Sequence, residues 1–435
     1  MSQLYPFTDP LVAQDTPPKA MVSGRGCQVT DAAGQSYLDG VAGLWCASLG
    51  FSEERLIRAA EAQYRRLPYY HSFMGRTAAV TEELAAKLAS LLPGNLNQVF
   101  FGCSGSDAVE TAAKLTRFYW NARDRPEKKA IVAREGAYHG SLASSAGLTA
   151  MDYCHKGFDL PGPTVLRTGA PYHFKEAEPG ESEIAFAKRR ARELDELIRA
   201  VGADQVGAFI GEPVIGAGGV VPPPEGYWAE IQEVLTRHDV LLIADEVITG
   251  FGRTGNWFAS QTYDLRPDLL TMAKQLTGAY FPLSAVGISD RVARTIAPYA
   301  HDLGTLGHGL TYGGHPVGCA VALEAIALYE EMDLPRHVAR LARSLAEGLV
   351  EIEALSMVAD VRKAGFMAGV ELKASLKARD VAAEMERQGL LLRVIDNSLA
   401  ISPPYIVTDE ELAFLFRVLA DSIASETTKL EGLAA

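Results

Sequence analysis

The amino-acid sequence predicts an α/β protein with a large, mostly parallel central sheet and a smaller α+β domain built from N- and C-terminal segments. Three observations carry this. From about Ala78 a long middle section alternates strand and helix signals, as a parallel sheet with crossover helices does. Beyond Gly314 the pattern changes to long amphipathic helices interleaved with short strands. And 435 residues are too many for one small core, so two domains are expected. The segments are read as 1–60, joining the small domain, 61–315 as the large domain, and 316–435 as the C-terminal small domain.

The first forty residues are rich in Pro, Gly and turn formers, with strand-like pieces at 26–30 and 36–39. A helix follows over 53–67 and stops at Pro68. In the middle section the apolar runs at 98–102, 129–134, 206–211, 240–245, 269–273 and 283–289 read as strands, with a helix over 227–238 between two of them. The Pro- and acid-rich stretch 170–183 reads as a surface loop. In the C-terminal part Val338, Leu341, Leu345, Leu349 and Ile352 fall on one helical face, and 366–372 and 399–402 read as strands.

The composition, 48% hydrophobic and 22% charged, is ordinary for a soluble enzyme, and a net charge of -13 argues against a nucleic-acid partner. No apolar run is long enough to span a bilayer, and the start of the chain lacks a signal-peptide pattern. Five scattered cysteines without a C-x-x-C pair suggest neither a disulfide framework nor a zinc site, so no metal is expected and a cytoplasmic home is the simplest reading.

Two apolar runs end in chemistry. One closes on Asp245, where charge is rarely buried without a partner. The next closes on Lys274, 29 residues later, a gap that suits one crossover between parallel strands. Ligands of such sheets gather at the carboxyl ends of strands. An acid and an amine there suit pyridoxal 5′-phosphate, whose chemistry needs a lysine Schiff base and an acidic partner for its ring nitrogen. Upstream, Ser104-Gly105-Ser106-Asp107 runs from a strand into a helix and offers amides and a hydroxyl to a phosphate dianion. Taken alone it is equally an ordinary helix N-cap. Tyr138, beside His139, could stack on a ring, though alone the pair is an unremarked loop. Gly250-Phe-Gly252-Arg-Thr-Gly255 matches a dinucleotide fingerprint, which raises a dehydrogenase as a remote alternative. The irregular, proline-stopped stretch after it is the wrong context, since that fingerprint must open a helix.

Read jointly, these motifs resemble the class III (ω-type) aminotransferases of PLP fold type I. The likeness extends through Tyr37-Leu-Asp-Gly, Gly43-Leu-Trp45, Gly211-Glu212-Pro213, the run 244–255, Met272-Ala-Lys274, the run 308–316 and Ser402-Pro-Pro404. The resemblance implies that Lys274 joins the cofactor aldehyde and Asp245 bonds the ring nitrogen. It implies that Val247 and Tyr138 cover the ring faces, and that His139 and Glu212 stand at the cofactor. Gly105 and Ser106 would hold the phosphate, helped by Thr311 from a neighbouring subunit, so that a homodimer or tetramer shares its sites. Trp45, Phe73 of the second copy, Tyr138, Ala217 and Arg393 would line the substrate pocket. Arg393, ten residues before Pro403, matches the family's mobile arginine, which clamps a keto-acid carboxylate. Ornithine- and 4-aminobutyrate-type relatives carry a glutamate where this chain has Ala217, and alanine favours pyruvate over 2-oxoglutarate as acceptor. The departures are Asp107 for glutamate, Gln275 for glycine, Met74 for an aromatic residue, and the run Arg393-Val-Ile-Asp396-Asn without its glycine. The expected activity is transfer of an amino group from a primary amine or ω-amino acid to a keto acid, with a 2-oxoglutarate-dependent enzyme or a decarboxylase or aminomutase of the same fold as alternatives.

Overall fold

A computed structural model describes residues 3–160 and 165–434. Three sheets organise it. The N-terminal strands β1 (Met21–Arg25), β2 (Gln28–Asp31) and β3 (Ser36–Asp39) form an antiparallel set.

The central sheet is made of β4 (Leu96–Gly102), β5 (Ala130–Arg134), β6 (Val165–Thr168), β7 (Val206–Gly211), β8 (Leu241–Asp245), β9 (Leu269–Met272) and β10 (Ser284–Ser289). Their spatial order is β4-β10-β9-β8-β7-β5-β6. Only β10 runs against its neighbours. Strands β5, β7, β8, β9 and β10 are buried at every position, because helices cover both faces. This is why they read as continuous apolar runs rather than alternating ones.

The third sheet contains β11 (Val358–Lys363), β12 (Ala368–Leu372), β14 (Arg393–Ile395) and β15 (Ser398–Ile401), in the order β11-β12-β15-β14. The short β13 (Leu390–Leu391) pairs parallel with β3 and so joins the N-terminal strands to the C-terminal part. Helix Leu334–Glu353 buries the expected stripe of Val338, Leu341, Leu345, Leu349 and Ile352.

One expectation is corrected, and the exclusion of a dinucleotide cradle gains its structural reason. The stretch 170–183 is not all surface loop. Ala170 and Tyr172 are buried against Ile215 and Val221, and His173–Glu176 forms a single helical turn. The glycines at 250, 252 and 255 open no helix, since turns continue to the four-residue helix Ala259–Thr262. Gly252 instead lets the chain pass close to Leu334, where an added Cβ would lie 2.7 Å from the leucine side chain. Without a helix N-terminus there is no dinucleotide cradle.

Candidate active site

Strands β8 and β9 are parallel neighbours with Asp245 opposite Thr271. The side chain of Thr271 donates to Asp245 Oδ1 at 3.0 Å, and the Val247 amide donates to the same oxygen at 3.2 Å. His139 Nδ1 lies 2.7 Å from Asp245 Oδ2. A carboxylate accepts, so the ring nitrogen supplies the proton. Both side chains are almost wholly buried, and His139 Nε2 has no partner among the described residues. His139 is held in turn by Thr149, whose hydroxyl accepts from its backbone amide at 2.9 Å. The neighbouring acid, Glu246, is engaged elsewhere: it accepts from Thr249 and from the amides of Ala259 and Ser260, capping the short helix.

Lys274 follows β9 with φ 45°, a left-handed conformation that costs a non-glycine residue about 1–2 kcal/mol. Its surroundings over-determine that backbone. Gln275, where the family pattern has glycine, donates its side-chain amide to Ile248 O at 2.8 Å and Gly250 O at 3.2 Å. Tyr405 donates to Gln275 Oε1 and Tyr329 to the Gln275 carbonyl. The Lys274 amine is densely surrounded though not sealed from solvent, and desolvation lowers its pKa to about 8. Cys46, Asp245 and Glu212 resist that shift, and Arg393 adds to it.

Glu212 joins two loops. Its Oε1 accepts from the Tyr138 amide at 3.2 Å and its Oε2 from the Gly216 amide at 2.8 Å. Burial pushes its pKa up, opposed by His139. The loop beyond it carries Ala217, which is buried, and is closed by a bridge between Ile215 and Val221.

The helix Gly105–Ala122 begins at the end of β4. Ser104 caps it, and Asp107 accepts from the amides of Cys103 and Ser104. Gly105 and Ser106 are its first two residues, so their N–H groups have no intrahelical acceptor. Gly105 sits so near β8 that an added Cβ would lie 2.9 Å from a Val247 methyl. At Gly140 a Cβ would lie 2.7 Å from Ser106 Oγ, which also accepts from the Ser141 amide. The phosphate-loop candidate, the Tyr138 loop and the end of β8 therefore meet.

Arg393 opens β14 and is half-buried. Burial lowers its pKa, opposed by Tyr153 and Tyr138, and it makes no ion pair with any described carboxylate. Trp45 is 1% exposed, packed with Val214, Ile248 and Met367, and its indole N–H has no partner among the described residues. Phe73 and Thr311 form a separate, exposed cluster. The Thr311 carbonyl accepts from Tyr69 at 2.9 Å, and Gly309 admits the Phe73 ring. The structure thus gathers eleven of the thirteen candidate residues and leaves these two on the surface. Thr271, Thr149, Cys46 and Tyr153 went unread; the register that sets Thr271 opposite Asp245 shows only in the fold.

The aminotransferase class-III family model matches residues 12–423, and the chain belongs to that family. Gamma-aminobutyrate transaminase 1, mitochondrial, from Oryza sativa subsp. japonica is 40% identical over 442 residues, spanning 99% of this chain and 86% of that protein. The uncharacterized aminotransferase y4uB of Sinorhizobium fredii is 41% identical over 447 residues, with 98% and 95% covered. Among solved structures, the omega transaminase from Pseudomonas jessenii in complex with PMP superposes with a TM-score of 0.97 at 40% identity, covering 99% of this chain and 97% of that one. The fold is PLP fold type I, the activity is that of an aminotransferase, and the cofactor is pyridoxal 5′-phosphate. The residues present fit that group: free amides at a helix N-terminus for the phosphate, a buried carboxylate with a lone pair to spare on Oδ2, and a depressed-pKa amine just past the adjoining strand. No described helix is long and apolar enough to cross a membrane.

Proposed function

We propose an ω-aminotransferase that takes the amino group of a primary amine or ω-amino acid and passes it to pyruvate. The observation that carries the acceptor is Arg393, half-buried beside Tyr138 and Tyr153 with no carboxylate paired to it. Ala217 supplies none, so the guanidinium is left for a substrate's carboxylate, which it can bind with two parallel bonds.

When bound, pyridoxal phosphate supplies an aldehyde carbon for an amine and a protonated ring that takes up the electron pair left on the donor carbon. Gly105 and Ser106 would hold the phosphate, and Asp245, kept in place by His139 and Thr271, would keep the ring nitrogen protonated. Val247 and Tyr138 would cover the ring, and Glu212 ties the Tyr138 loop to the Ala217 loop. Lys274, with a pKa of about 8, is neutral in a useful fraction near neutral pH. It can therefore act as a nucleophile and then carry a proton at the donor carbon as general base and acid.

Phe73 and Thr311 belong to this reading as residues of the partner's site. Phe73, Met74 and Tyr312 are exposed large apolar side chains, which suits burial against a second copy in a homodimer. All five cysteines are free, which suits the cytoplasm.

Borohydride reduction should fix the cofactor to the peptide containing Lys274, and nowhere else. Arg393→Ala should raise the pyruvate KM by about tenfold or more and spare an amine lacking a carboxylate. Equal losses with both substrates would refute the acceptor reading, as would stronger turnover with 2-oxoglutarate.

A further inference from the structure

Strands β11, β12, β15 and β14 place Arg362, Gly369, Ala400 and Arg393 opposite one another in a single row. Residues paired across a sheet share a face, so two arginines stand on one face, about 14 Å apart at three strand spacings. Between them lie only glycine and alanine. The neighbouring row on that face is Asp360, Glu371, Ser398 and Ile395.

The gap is filled by the loop that carries Ala217. An added Cβ at Gly369 would lie 2.5 Å from the Gly219 carbonyl, so this close approach requires glycine there. Arg362 grips the loop at that point. Its Nη2 donates to Gly219 O at 2.8 Å, and its Nε lies 3.2 Å from Gly219 O and 3.3 Å from Val220 O. Nη2 also donates to Ser398 Oγ at 2.9 Å, and Nη1 to Asp360 Oδ2 at 2.5 Å. Ser398 donates to Glu371, which Tyr172 and Lys175 also contact. The guanidinium lies 4.8 Å from the centre of the Tyr172 ring, and Arg362 is 7% exposed. At its other side the loop rests on Gly136, two residues before Tyr138, where a Cβ at Gly218 would meet the Gly136 carbonyl at 2.3 Å.

We propose that Arg362 is a positioning residue for keto-acid recognition: by holding the Gly219 and Val220 carbonyls against the strand row that ends in Arg393, it sets the width of the slot between the Ala217 loop and the Arg393 guanidinium. The inference rests on the reading of Arg393 as the carboxylate clamp. A planar fork is needed, because one donor group must reach two successive carbonyls and Ser398 at once. An amine without a carboxylate does not use the slot and is insensitive to its width.

The test is half-reaction kinetics on the holoenzyme with pyruvate and with a carboxylate-free amine. Arg362→Lys should raise the pyruvate KM about tenfold and change the amine KM less than about twofold, and Ser398→Ala should move pyruvate in the same direction by less. An unchanged pyruvate KM, or parallel losses for both substrates as from general loosening, overturns the proposal. Should Arg362→Lys fail to fold, Ser398→Ala and Glu371→Gln decide it by the same split. Arg393→Ala is run alongside. If it leaves pyruvate untouched while Arg362→Lys does not, the clamp reading is what fails; the reverse pattern defeats the positioning role alone.

Discussion

Replacing Lys274 by methionine should stabilise the protein once the cofactor is removed. The side chain keeps its length and apolar stem, so packing changes little. What disappears is the cost of desolvating an ammonium. The pKa falls from 10.5 to about 8 on folding, and each unit corresponds to about 1.4 kcal/mol. The ceiling is therefore about 3 kcal/mol, and residual solvent contact brings the expectation to about 2–3 kcal/mol. For a chain of 435 residues that is a rise in Tm of about 2–4 °C.

The sign follows from proton counts. Between pH 8 and 10.5 the unfolded lysine holds more proton than the folded one, so the penalty is complete below pH 8 and fades as pH climbs toward 10.5. Urea unfolding of cofactor-free wild type and Lys274→Met at a series of pH values reads this directly. The variant should be more stable at pH 7, and the two curves should converge near pH 10.5. A pH-independent difference, or a wild type at least as stable at pH 7, would show that the amine is not held in a poorly solvated place.

Asp245→Asn should retain the cofactor yet lower turnover about 10²–10³-fold, because the amide cannot favour a protonated ring; single-turnover rates measure this, and turnover within a few-fold of wild type would contradict it. Gly105→Ala forces a methyl to 2.9 Å from Val247 and should cost about 1–3 kcal/mol. Cofactor titration of the stripped protein should then show weaker binding, and an unchanged affinity would mean that the helix N-terminus does not hold the phosphate.

What could be read from sequence followed the physics of the parallel sheet. Strands β7 to β10 are buried on both faces, so they are unbroken apolar runs, and a charged residue that ends such a run stands out. Asp245 and Lys274 were legible for this reason. Edge strand β6 was not, since Val165-Leu-Arg-Thr is short and half-exposed, with a positive charge in its middle. Arg362 was equally silent. In Val361-Arg-Lys it is one more basic residue on a strand, and its meaning depends on the register of four strands and on a glycine seven residues away. His139 was placed at the cofactor by the resemblance alone, and its bond to Asp245 could not be read because that tie spans 106 positions. Turn chemistry and cross-strand register are set by tertiary pairing, which local sequence does not encode.

The lone reversed strand has a consequence for biosynthesis. β4, whose end launches the helix that starts at Gly105, touches the rest of its sheet only through β10. During translation Asp245 and Lys274 can be zipped together on β8 and β9 while β4 still has no berth. The last strand of this sheet to emerge from the ribosome, ending at Ser289, is thus the keystone that docks the first, and vitamin B6 has no complete cradle on a nascent chain that stops short of it.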